Sequence, residues 1–140
     1  MGIFDFLWKK KNMANNVGNV LKHEEIVYNY KIKYNVNPPT KIYEESQDEK
    51  QFIENLFEKS SSNNLQPIKY SFTRLSNGTI NVDYDYSNKG GFVGKIKLQG
   101  RKKYIMYMKN MYDSETIEGE LTELINAIEL WINYINKYFK

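Results

Sequence analysis

The sequence predicts an α+β fold in two layers: an antiparallel sheet of about five strands, in β-α-β-β-β-β-α order, covered on one face by two helices. Three observations predict it. Several segments alternate apolar and polar residues with period two, the pattern of half-buried strands. Two segments repeat their apolar residues at helical spacing instead. The signals between the later strands are short turns, which join antiparallel neighbours.

Residues 1–24 read as an N-terminal arm. Ile3, Phe4, Phe6, Leu7 and Trp8 crowd together, Lys9, Lys10 and Lys11 follow, and an Asn-rich stretch runs to Lys22. The single compact domain is then 25–140. Over 25–36, Tyr28, Tyr30, Ile32, Tyr34 and Val36 share one parity and Asn29, Lys31, Lys33 and Asn35 the other, which predicts a strand. Pro38 and Pro39 end it, because they offer no amide hydrogen to a ladder. A helix is expected near 46–59: Ser46 and Glu49 have capping-box spacing, and Phe52, Ile53, Leu56 and Phe57 form one stripe.

Four strands follow. Ile68, Tyr70 and Phe72 alternate with Lys69, Ser71 and Thr73; Asn77-Gly78 then marks a hairpin of type I′. Ile80, Val82, Tyr84 and Tyr86 alternate with Asn81, Asp83 and Asp85, and after a turn at 88–91 Phe92, Gly94, Ile96 and Leu98 alternate with Val93, Lys95 and Lys97. Gly100 marks the next turn. Residues 104–108 are apolar on both parities, which predicts a strand that is central or covered on both faces. The last element reads as one helix from a cap at Asp113 or Ser114 to about Phe139. Its apolar residues, from Ile117 and Leu121 through Trp131 and Ile135 to Phe139, fall within an arc of about 120°. This order of elements is similar to that in each half of the TATA-binding protein, a likeness of topology that carries no shared motif.

The 140 residues fit one domain, and 41% apolar with 26% charged residues excludes a disordered chain, a collagen-like fibre and a multi-pass membrane protein. No apolar run approaches the roughly 18–20 residues of a membrane span, and no secretory signal is read. Cysteine is absent, which removes disulfides, thiol catalysis and zinc-thiolate sites, and suits a reducing compartment. The abundance of Asn, Lys, Ile and Tyr reflects an AT-rich coding bias, and the expected setting is a bacterial or phage cytoplasm.

The chemistry of catalysis is poorly represented. His23 is the single histidine and lies in the arm, so neither a Ser-His-Asp arrangement nor a histidine metal site is expected. The carboxylate pairs Glu44/Glu45 and Asp48/Glu49 read as solvated charge at a helix start. Asp83 and Asp85 share a parity, but with only two carboxylates they are read as charge neighbours, not metal ligands. The stretch from Gly90 to Lys95 is not a phosphate loop: its spacing is one short, Ile96 replaces the Ser/Thr, and a strand follows instead of a helix. No enzyme activity, cofactor or metal is expected.

The charge distribution is more informative than the net charge of +3. Residues 89–109 hold seven basic residues and no acidic one, whereas 113–129 hold six acidic residues and no basic one. Lys95 and Lys97 are expected to share the solvent face with Lys31 and Lys33. Arg101, Lys102 and Lys103 crowd a turn beside that face, and Tyr107 is the candidate aromatic platform. Such a cationic surface releases counterions from phosphate, and aromatic rings stack on bases. The expected function is a non-enzymatic binding module holding an anionic partner, with nucleic acid as the leading candidate. The competing reading is a lysine-rich surface that only discourages aggregation. An alternative function is a protein-interaction module of inhibitor, adaptor or immunity type, or a homodimer formed through the arm. It would use Phe4, Phe6, Leu7 and Trp8 together with an apolar strip of Leu130, Trp131, Tyr134 and Tyr138 on the last helix.

Overall fold

The computed structural model describes residues 28–86 and 89–139, and the arm expected over 1–24 lies outside them. Six strands form one sheet in sequential order: β1 (Ile32–Tyr34), β2 (Tyr70–Arg74), β3 (Ile80–Tyr86), β4 (Lys89–Lys97), β5 (Tyr104–Met108) and β6 (Ser114–Glu118). All neighbours are antiparallel except β1 and β2, which are parallel because helix α1 (Gln47–Ser62) carries the chain back between them. Helices α2 (Leu121–Asn126) and α3 (Ile128–Tyr138) end the fold. The fold is α+β, as the alternation predicts.

Helix α1 begins where the capping box places it. The Glu49 amide donates to Ser46 Oγ (3.1 Å) and the Ser46 amide to Glu49 Oε1 (2.9 Å), satisfying two amides that the first turn leaves open. Its stripe of Phe52, Ile53, Leu56 and Phe57 is buried against the sheet. From the sheet, Phe72, Ile80, Val82, Ile96 and Ile105 meet that stripe, and α3 adds Ile128, Trp131, Ile132 and Ile135. Burial of each large apolar side chain contributes about 1.5–3 kcal/mol, and this shared core fixes which sheet face is covered.

Several expectations need correction. The last helix does not start at Asp113 or Ser114. Residues 114–118 form strand β6, with Ile117 opposite Ile105 on the core side. The Asn110 side chain accepts from the amides of Tyr112 and Asp113 and closes a tight β5–β6 turn, so the chain reverses instead of coiling. The Glu120 amide donates to Glu123 Oε1 (2.9 Å) where α2 begins, and the helical layer is divided at Ala127. The extra strand and the divided helix depart from the order expected from sequence.

Strand β4 does not keep one alternation. The register shifts between Val82 and Asp83, so Val82 opposes Gly94 while Asp83 opposes Phe92. The additional residue, Val93, turns into the core and is fully buried, and Phe92 stands on the outer face. A bulge of this kind reverses the phase of everything before it. Strand β5, expected to be covered on both faces or central, is next to the edge strand β6; its outer residues Tyr104, Met106 and Met108 are half-buried.

The β2–β3 hairpin falls at Asn77-Gly78 but is not type I′. The Gly78 amide donates to the Leu75 carbonyl (2.9 Å) and the Leu75 amide to the Thr79 carbonyl (2.8 Å), with positive φ at Gly78 and not at Asn77. This is a type I turn closed by a glycine bulge.

Candidate anion-binding face

Both helical layers lie on one side of the sheet, and the opposite face carries the residues of the other parity. Register assembles them in rows, because directly opposed residues share a face. One row crosses all six strands: Lys33, Thr73, Asn81, Lys95, Met106 and Thr116. The next, towards the β4–β5 turn, runs Lys97, Tyr104, Glu118. In the other direction lie Ser71, Asp83 and Phe92, with Asp85 beyond. The face is therefore graded along the strands, basic towards the β4–β5 turn and acidic at Asp83 and Asp85.

At the end that carries Asp83 and Asp85 a shallow depression of about 580 Å³ is bordered by Ser71, Asp83, Asp85 and Phe92, and also by Lys69, which offsets part of the acidic charge. Partial burial there pushes the Asp83 carboxyl above its ordinary range. Among the described residues no three acidic or histidine side chains converge as a metal site.

The basic residues expected to act together divide into two sets. Lys33, Lys95 and Lys97 stand on the outer face, Lys31 is exposed one residue ahead of β1, and Arg101 and Lys102 are exposed in the β4–β5 turn. Lys97 Nζ donates to the Gln99 carbonyl (3.1 Å), which holds it at that turn. Lys103 borders one depression with Arg101, Lys102, Glu118 and Glu120, but its ammonium is paired. It shares the parity of Ile105, reaches the helix side and pairs with Asp48 at the start of α1 (2.8 Å). The hydrogen bond and charge of Asp48 raise its pKa.

Tyr107 leaves the set. It opposes Gly94 on the helix-side face, where its hydroxyl donates to Glu115 (2.7 Å). The aromatic residue that the outer face does carry at its basic end is Tyr104, which the apolar run 104–108 conceals because neither parity is polar.

Of the residues expected at a protein interface, Phe4, Phe6, Leu7 and Trp8 lie outside the described residues. Leu130 and Tyr138 are half-buried. Trp131 is fully buried, and its indole N–H donates to the Met106 carbonyl (3.1 Å). Tyr134 is only 7% exposed and packs between Tyr138 and Phe139. The four do not form an exposed strip, because the face of α3 that carries Trp131 and Tyr134 is turned into the fold.

A buried ionic cluster is the polar feature that alternation alone did not identify. Arg74, at a core position of β2, bonds Glu49 through both terminal nitrogens (2.7 and 3.3 Å) and the Gly78 carbonyl (3.1 Å). Glu49 also accepts from Gln99 (2.9 Å). Burial alone would raise the Glu49 pKa, but bonds from Arg74, the Ser46 amide and Gln99 outweigh it and hold it below its ordinary value. The signal was a charged residue on the parity of Tyr70 and Phe72.

No helix among the described residues is long and apolar enough to cross a membrane. Comparison of the chain with protein-family models, curated proteins and solved structures finds no match.

Proposed function

We propose that the chain is a non-enzymatic binding module that holds nucleic acid on the outer face of its sheet and on the β4–β5 turn. One observation carries this reading. Among the described residues, the three ion pairs formed by Arg74, Lys103 and Lys109 belong to side chains on the helix-side parity. Lys33, Lys95, Lys97, Arg101 and Lys102 have no carboxylate within ion-pair distance among those residues. Arg74 is buried, and Lys103 and Lys109 are each held by a carboxylate at the surface, so these three offer less to phosphate than the five unpaired cations do. The acidic end of the face directs a polyanion towards the turn.

The test is a salt titration of binding by the full chain to short DNA and RNA. Binding at about 50 mM salt that weakens log-linearly as salt rises is expected, and loss of that binding in the triple variant Lys97→Glu, Arg101→Glu, Lys102→Glu supports the face. Absence of binding at that salt overturns the reading. The protein-interaction alternative has less support, because Trp131 and Tyr134 are packed inside.

A further inference from the structure

We propose that the outer face takes single-stranded nucleic acid, with an unpaired base stacked on Tyr104 and the adjoining phosphates on Lys95 and Lys97. The inference rests on the reading of that face as a nucleic-acid surface and adds which form of nucleic acid it accepts.

Register places the three groups together. Tyr104 stands directly opposite Lys97, and Lys95 opposes Met106, two positions along the same strand. Directly opposed side chains start about 4.5–5.5 Å apart and diagonal ones about 7–8 Å, so both lysine stems rise beside the ring, the Lys97 ammonium being turned towards the Gln99 carbonyl. Met106 extends the apolar surface beside it. On the other side of Tyr104 stands Glu118, whose charge repels phosphate. The backbone of a bound strand therefore passes over β4, not β6.

The Tyr104 ring is also uncommitted. It is half-buried, yet it has no hydrogen bond and no ring contact among the described residues. Tyrosines on the helix side are engaged: Tyr70 with Ser60, Tyr84 with the Gln66 amide, Tyr107 with Glu115. A free ring bordered by lysines is what base stacking with phosphate neutralisation requires.

Breadth keeps the face out of the major groove of a duplex. Six strands span about 24 Å, whereas the major groove of B-DNA is about 12 Å wide. The face cannot enter the groove, and stacked bases inside a duplex present no free plane to the ring.

The experiment measures anisotropy of labelled ligands with the full chain at about 50 mM salt. The ligands are a 12-nucleotide single strand, a duplex of the same sequence and long-chain inorganic polyphosphate. The single strand is expected to bind at least tenfold more tightly than the duplex. Tyr104→Ala is expected to weaken the single strand about tenfold, while Tyr104→Phe preserves it and polyphosphate binding is unchanged in both. Circular dichroism confirms that each variant is folded. Equal binding of the single strand by wild type and folded Tyr104→Ala, or preference for the duplex, overturns the inference and leaves the nucleic-acid face standing. Binding of polyphosphate but of neither nucleic acid, or of none of the three, overturns both.

Discussion

Arg74 and Glu49 meet across the interface between the sheet and α1 at 2.7 Å, with side chains 2% and 0% exposed. A charge buried this completely depends on its partner. Removing one member leaves the other unpaired away from water, which costs about 3–5 kcal/mol. Glu49→Ala is expected to destabilise the fold by that amount, measured as a fall in the urea midpoint. Because Glu49 also completes the capping box, Ser46→Ala serves as a control that removes only the cap and costs about 1 kcal/mol.

The same pair sets a pH dependence. The Glu49 pKa is lower in the folded chain than its ordinary 4.5. Its contribution to stability is complete above about pH 4.5 and is lost as pH falls towards the folded value, because the unfolded chain then binds the proton first. Unfolding midpoints between pH 7 and 3 should fall less steeply for Glu49→Gln than for wild type.

Trp131 lies on Gly94. A Cβ at Gly94 would come within 2.7 Å of the indole nitrogen and would collide with the Met106 carbonyl. Gly94→Ala is expected to displace the indole from its bond to that carbonyl and to destabilise the fold by about 1–3 kcal/mol. Thermal unfolding gives the loss of stability. Trp131 fluorescence, read in a Trp8→Phe background, gives the displacement.

The division of the basic turn is open to direct measurement. Lys103 faces Asp48 on the helix side, whereas Arg101 and Lys102 are exposed. Single-strand binding by Arg101→Ala or Lys102→Ala should show a salt slope shallower by about 0.7 for each phosphate no longer neutralised. Lys103→Ala should leave the slope unchanged. A change of slope for Lys103→Ala equal to those of its neighbours would place all three on one surface and refute the division.

Gly78 has φ of +91°, and a Cβ there would press on the Tyr43 ring at 3.0 Å. Gly78→Ala is expected to cost about 1–2 kcal/mol in the urea midpoint, from the left-handed backbone alone.

What could be read from sequence follows the range of the interaction. Ser46 and Glu49 are three residues apart, and their cap is legible because nothing distant decides it. Ile117 and Leu121 are four apart and suit a helix, but the pairing of 114–118 with β5 places Ile117 in a strand; tertiary pairing overrides local preference. Val93 looks like an ordinary alternating position, and only the register against β3 makes it a bulge. At the candidate site, the outward parity of Lys33, Lys95 and Lys97 was visible in the alternation. The exchange of Tyr107 for Tyr104 was not, because it depends on the β4–β5 register across a run with no polar member.

Strand β6 forms one border of the sheet, and its sequence carries Glu115 and Glu118. Such a border is a template on which another strand can add. Charged side chains on such a border resist the burial that an added strand would impose. The same strand that widens the platform thus deters its sideways growth into a continuous ribbon of copies.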